Sequence, residues 1–470
     1  MLLQLLMFRW QSTCLVACHA LIAAIRSIPI WVVAVAWRAV AAGAWRPQHY
    51  LLCAWALGEV AWIPYYSMLR RGVRSRPAPG GSSCRSPEDR RALAERCVDA
   101  MCALGCSKKT FLERWFLGAD PSSVTRRDFE RWVAWCFFDS EPTAMSERDL
   151  SELRSLVDWF EARVDHTFPR SPGDGTLPCI RLKYDPVRDA RRPLTYYAVT
   201  SALYGAGRAV VFALGFRRDA ADPRIFYRPA AAPRRTSTAT PVVFMHGIGI
   251  GFVHYALLLA SLPRDRAVLL VDDAHVSQCL ATAPPPSPEE AAAAVDRALR
   301  RHGHLDGAVF LAHSLGTTSV AWCLKMKDIV RSCVLIDPLT FLLVAPTTAY
   351  NFLHRRPRSP IQLLLDFFIA RELFTANAIQ RHFSWTHNTL FVDDLPKRRS
   401  TVVLSRKDLI IDAPLIKHYL EPARARGDVD VHFHAGLEHG ELFLRPALVA
   451  RTLAALRAHC ALEDEARRTD

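Results

Sequence analysis

The chain has no C-x-x-C pair among its thirteen cysteines, and Cys97, Cys102 and Cys106, though clustered, have no His or Cys partner at zinc-finger spacing. That excludes a dithiol redox motif and a readable metal site; no metal or cofactor is expected. An odd number of scattered thiols reads as reduced and mostly buried, which suits a catalytic domain facing the cytosol. Lysine is also scarce. The formal net charge of +14 comes almost wholly from arginine spread along the chain, with no basic run interleaved with aromatic residues. A nucleic-acid partner is therefore not expected, and a coding bias toward Arg and Ala accounts for the charge. A cleavable signal is not expected either: the first apolar run is broken by Arg9, and no small-x-small site follows a clean core.

The first 69 residues are instead rich in apolar and aromatic side chains, and they read as a membrane anchor of one or two helices. Two stretches approach spanning length, 28–45 with Arg38 inside and 50–68 with Glu59 inside. Each central charge costs roughly 2.5–3.5 kcal/mol on insertion, against about half a kcal/mol gained per strong apolar residue. A hairpin turning at Arg46, Pro47, Gln48 and His49 sets Arg38 and Glu59 about 3 Å apart in depth, close enough to pair. The alternative, helices lying in the interface with their charges snorkelled, stays open. Arg70, Arg71, Arg74 and Arg76 put the catalytic half of the chain in the cytosol by the positive-inside rule; the endoplasmic reticulum is the default membrane.

Residues 70–85 read as a Pro/Gly/Arg-rich linker. Residues 86–221 read as a small helical region with periodic segments at 87–105, 110–118, 123–138 and 146–166. Two of these have capping boxes, Ser86 with Asp89 and Ser146 with Asp149. Trp115, Trp132, Trp135 and Trp159 are expected in its core. The apolar stretch 194–216, with Arg208 inside, is expected to brace a sheet, with a membrane-lying helix as the alternative.

The chemistry concentrates further on. Residues 309–317, VFLAHSLGT, read as a buried strand running into a helix with Ser314 at the turn. Small residues at both ends of small-x-Ser-x-Gly let the backbone turn sharply enough to project the hydroxyl. Ala312 and Gly316 fill those places, with His313 and Leu315 between; Ala312 replaces the usual Gly. Upstream, residues 241–251 (PVVFMHGIGIG) end a strand in His246-Gly247, the shape of an oxyanion loop. The expected donors to a tetrahedral oxyanion are the N–H of Leu315 and that of Ile248 or Gly249.

Downstream, residues 401–412 and 429–440 each pair a strand with a loop, the first carrying Asp408 and the second His439. The order Ser, acid, His fits a triad in which the carboxylate holds Nδ1 while Nε2 takes the serine proton. His432 and His434 fall within the strand and are set aside. Asp337, ending the strand at 331–336, is the alternative acid. Pro338 and an apolar insert come directly after it, so it is expected to cap the lid helix or brace the loop.

Apolar strands at 267–271, 307–311 and 331–336 alternate with helices at 288–302 and 318–327, the pattern of a mostly parallel sheet covered on both faces. The expected architecture is an α/β-hydrolase fold over 222–460, with a helical lid inserted at about 339–396. The Phe-, Leu- and Trp-rich insert points to a lipid-like acyl ester. Thioesterase or acyltransferase activity would use the same acyl-enzyme. The opposing reading is a non-catalytic membrane scaffold, which needs a broken triad; none is visible.

The segments GADPSSVTRRDFERWVAWCFF, RLKYDPVRDARRPLTYY, IDPLTFLL, YNFLHR and FSWTHNTLFVDDLP together resemble a family of membrane-associated α/β-hydrolases (AB hydrolase-1 domain) of fungi, plants and protists. The resemblance covers roughly residues 86–450. It implies the fold and a Ser-acid-His site carried here by Ser314, Asp408 and His439, with the loop at His246-Gly247. It implies no substrate.

Overall fold

Buried apolar runs build an eight-stranded sheet: β1 (Arg217–Arg218), β2 (Ile225–Arg228), β3 (Val242–Met245), β4 (Val268–Val271), β5 (Ala308–His313), β6 (Val330–Ile336), β7 (Ser400–Ser405) and β8 (Asp430–His434). The order is β1-β2-β4-β3-β5-β6-β7-β8. From β4 through β3 to β8 the pairing is parallel, whereas β1 and β2 are antiparallel. This computed structural model describes residues 2–43, 46–75, 84, 86–170, 177–231 and 239–469. Trp45, Arg76 and most of the expected linker lie outside the described residues.

The order reverses at β3, whose neighbours β4 and β5 lie on opposite sides. A crevice beyond the carboxyl ends of such strands is where parallel α/β sheets hold ligands. The register Met245↔Ala312 sets the loop after β3 beside the turn after β5. Successive side chains along each strand face opposite layers. One layer receives Val243, Phe310, Leu335 and Val402, and the other Val242, Val309, Val334 and Val403.

The helices are α1 (Leu2–Ala41), α2 (Pro47–Ser75), α3 (Pro87–Ala103), α4 (Lys108–Trp115), α5 (Arg126–Val133), α6 (Glu147–Val164), α7 (Leu194–Ala213), α8 (Ala256–Ser261), α9 (Pro288–Arg301) and α10 (Gly316–Met326). Then come four short lid helices, α11 (Thr347–Ala349), α12 (Pro360–Leu364), α13 (Leu373–Arg381) and α14 (Trp385–Asn388), and finally α15 (Ala413–Ala425) and α16 (Pro446–Thr469). Helices α3–α6 share a core with α9, α10, α15 and the lid on one side of the sheet. On the other side lie α7, α8 and α16. The lid is helical as expected, its short helices interrupted by π-turns at Tyr350–His354 and Leu365–Ala370.

Several boundaries differ from the sequence reading. The Ser86 and Asp89 box forms in full. Ser146 caps α6, but Asp149 takes the Ser146 hydroxyl instead of the cap N–H. A further box, Thr125 with Asp128, moves the start of α5 past the expected residue 123. β1 and β2 went unseen because β1 is two exposed arginines and β2, Ile-Phe-Tyr-Arg, is not a continuous apolar run. Residues 70–75, expected in the linker, continue α2. The Arg70 and Arg74 guanidiniums bind Asp189, whose side chain is buried, at 2.8 and 2.6 Å.

The N-terminal helices pack together as a hairpin, but Arg38 and Glu59 do not pair. Arg38 is exposed. The buried Glu59 carboxylate accepts from the N–H of Leu194 (2.9 Å), the N–H of Thr195 (2.8 Å) and the Thr195 hydroxyl (2.5 Å). Those N–H groups open α7 after Pro193, which supplies no capping side chain. A carboxylate at a helix N-terminus satisfies otherwise orphaned donors and meets the positive end of the dipole, worth up to about 2 kcal/mol when partly buried. Trp62 donates to the Arg192 carbonyl at 2.9 Å on the same seam. So α2 is docked on the catalytic body. Among the described residues, the one helix long and apolar enough to cross a membrane is Thr13–Ala41, within α1. By length and composition it suits an anchor or a signal sequence. It begins well before the expected residue 28. Helix α7 sets Val211 into the core on its side of the sheet, its Tyr204 hydroxyl donates to Asp272 at 2.6 Å, and Arg208 lies 3.9 Å from the same carboxylate.

Candidate active site

The turn from β5 into α10 holds Ser314 at φ +52°. For a non-glycine residue this costs of order 1–3 kcal/mol, so the surroundings must impose it. Gly316 is what permits it: a Cβ there would run into the carbonyl oxygens of Met245 and His246. A Cβ at Gly247 would lie 2.8 Å from that of Ser314. Ala312 is fully buried in β5 and its methyl packs in the core.

His439, in the loop after β8, brings Nε2 to 2.8 Å from the Ser314 hydroxyl. Its Nδ1 lies 2.5 Å from an Asp408 oxygen. The other Asp408 oxygen accepts the N–H groups of Ile410 at 2.7 Å and Ile411 at 3.0 Å. That fixes the carboxylate with one oxygen left for the imidazole. Burial alone would push the His439 pKa down, but Asp408, with Asp337 behind it, carries it up to about 9. The field at His439 therefore favours imidazolium, the form created when it takes a proton from serine.

Asp337 takes the bracing role. Its oxygens accept the Ser405 N–H at 2.8 Å, the Ser405 hydroxyl at 3.0 Å and the Gly440 N–H at 3.0 Å. It ties the end of β7 to the residue after His439. Burial raises its pKa. Asp337, Asp408 and His439 bring one ligand atom each within 4.8 Å of one another, but these atoms are engaged with each other and with the backbone.

The oxyanion loop needs one correction. Gly249 donates its N–H to the Val276 carbonyl at 2.9 Å, so that donor is spent. The Gly247 N–H goes to the Tyr255 hydroxyl, also at 2.9 Å. The N–H groups of Ile248 and Leu315 have no partner among the described residues and remain as the candidate donor pair. His246 is structural: Nδ1 meets the Gly247 carbonyl at 2.8 Å, and Nε2 accepts the Asp273 N–H at 3.0 Å. Tyr255 was missed by the sequence reading. Its hydroxyl bridges Gly247 and the His313 Nδ1, 2.7 Å away, locking loop to elbow. Burial, then the neighbouring His439, holds the His313 pKa well below the usual value, which favours the uncharged ring. Nothing in the local sequence marks Tyr255 beyond an aromatic residue eight positions after the HG pair.

A cavity of about 640 Å³ opens on Ser314 and His439. Its walls are apolar: Val199 and Leu203 of α7, Phe352 and Phe383 of the lid, and Trp115 and Trp135. The two tryptophans, expected only as core, are both core and wall. His432 and His434 lie in β8 and stay out of the site.

Residues 242–452 match the alpha/beta hydrolase family, so a domain of that family is present, and the sheet topology is that of the α/β-hydrolase fold. Among curated proteins none matches. The solved structures similar to the chain include a carboxylesterase, CesB, from Bacillus subtilis (12% identity, covering 56% of this chain and 98% of that one, TM-score 0.39). Others are an esterase from Pyrobaculum calidifontis (15%, 57% and 92%, TM-score 0.38) and a membrane phospholipase A described as a bacterial virulence factor (16%, 56% and 93%, TM-score 0.39).

Proposed function

We propose that this chain is a membrane-anchored serine hydrolase that cleaves an acyl ester of lipid character through an acyl-enzyme. The observation that carries the reading is the line from Asp408 through His439 to Ser314, at the mouth of an apolar cavity. In the first half-reaction Ser314 Oγ attacks the ester carbonyl and its proton passes to His439 Nε2. The oxyanion receives the N–H groups of Leu315 and Ile248, worth about 3–4 kcal/mol per donor in comparable sites. Collapse of the tetrahedral intermediate expels the alcohol, which takes the proton from His439. Water then attacks the acyl-serine, losing its proton to His439, and collapse of the second intermediate releases the acid as that proton returns from His439 to Ser314 Oγ.

The lipid character is supported by the predominantly apolar cavity walls, among them Phe352, Phe383, Val199 and Leu203.

A series of p-nitrophenyl esters of rising acyl length tests the substrate class. Turnover per unit KM should climb with chain length and vanish in Ser314→Ala at every length. A maximum at acetate would point to a small-ester enzyme instead.

A further inference from the structure

Helix α1 does more than precede the catalytic body. Two of its residues, Ile25 and Ile28, line the cavity that holds Ser314 and His439. They lie on one helical face with Ile22, Val32 and Ala36, all three buried, since residues three or four apart share a face. Much of the remaining circumference is bare and apolar, with His19, Arg26 and Arg38 the exposed polar exceptions between residues 19 and 38: Ile30, Trp31 and Trp37 are 71%, 67% and 73% exposed. Arg26, between the two cavity residues in sequence, lies over the lid ring of Phe367, 5.3 Å from its centroid.

The neighbouring helices repeat this arrangement. On α7, Val199 and Leu203 line the cavity and are also exposed. On α2, Leu51 and Leu57 are more than two-thirds exposed, while Glu59 and Trp62 fasten the helix to the start of α7. Contiguous bare apolar surface on this scale marks a membrane or partner contact. The contacts with the catalytic body, at Ile25, Arg26 and Ile28, fall in the middle of the 29-residue apolar segment, about 43 Å long at 1.5 Å per residue, while Val32 and Ala36 pack on Ala56 of α2. Were α1 upright across a bilayer, those contacts would drag the catalytic body into the hydrocarbon. A helix laid along the interface keeps the body in water and covers the bare side with lipid.

We propose that α1 lies along one leaflet, and that the cavity opens between α1 and α7 to admit the acyl chain of a bilayer lipid sideways. The inference rests on the serine-hydrolase reading for its substrate, but not for its topology. The protein supplies the polar side that α1 lacks, and the bilayer supplies the cover for its apolar side. The anchor is then one wall of the acyl site.

Two measurements on the full chain in phosphatidylcholine-containing vesicles test this. Tags at the two termini and in the turn between α1 and α2, probed with protease from the side bearing the catalytic domain, should all be cut without detergent; a protected N-terminal or turn tag means α1 crosses, and overturns the proposal. A fluorophosphonate with a long alkyl chain and a photoreactive tip, reacted at Ser314 and then illuminated, should cross-link to the α1 segment around Ile25 and Ile28 or to α7. Cross-links confined to the lid or to the buried core would overturn the sideways port. If Ser314 does not react, the hydrolase reading fails, and the sideways port with it, while the tag result still decides the topology.

Discussion

Strands β6 and β7 run side by side, and each ends in a buried aspartate within reach of His439, yet the two carboxylates are committed differently. Asp337 spends its oxygens on Ser405 and the Gly440 N–H. Asp408 gives one oxygen to the Ile410 and Ile411 N–H groups and keeps the other for the imidazole. Position at a strand end does not distinguish them. The oxygen left over after the backbone donors are satisfied does, and under the proposed mechanism it makes Asp408 the orienting acid and Asp337 the brace.

Substitution by asparagine separates the two roles most sharply. Asp408→Asn should lower kcat by up to about four orders of magnitude with KM and stability little changed, because the amide favours the wrong imidazole tautomer. Asp337→Asn should cost about 1–3 kcal/mol of stability, since a buried donor loses its acceptor, and reduce kcat much less. Steady-state kinetics beside denaturant unfolding reads both effects. The reverse pattern would exchange the roles.

The pH profile sharpens the comparison with a smaller effect. His439 must be neutral to act as base, so activity is present above its pKa and lost as pH falls through it. With that pKa up to about 9, the ascending limb of kcat/KM should lie well above the ordinary histidine value near 6.5. Residual activity of Asp408→Asn should show the limb displaced downward. Asp337→Asn should displace it less, as the more weakly acting of the two carboxylates.

The C-terminal half was legible because its chemistry is written locally. A strand, an elbow with Ser314 and Gly316, and loops bearing Asp408 and His439 each leave a short-range mark, and the sheet register does the rest. Glu59 was misassigned for the opposite reason: its partners, the N–H groups of Leu194 and Thr195, lie some 135 residues away, and backbone donors have no sequence signature. Gly249 was a fair candidate until the Val276 carbonyl took its N–H. Ile25 and Ile28 look like any residues of an apolar helix until the docking of α1 turns them toward the cavity. Periodicity reveals that a face is apolar; what covers that face is a tertiary fact.

Everything proposed for the site depends on Ser314 being an activated nucleophile, and intact-protein mass spectrometry after fluorophosphonate treatment reads that property on the protein itself. A single adduct is expected, mapping to the peptide that contains Ser314 and absent from Ser314→Ala. Adduct formation should also slow steeply in Asp408→Asn but not in Asp337→Asn. No adduct on the folded wild-type chain, or an adduct on a different serine that persists in Ser314→Ala, would contradict the assignment.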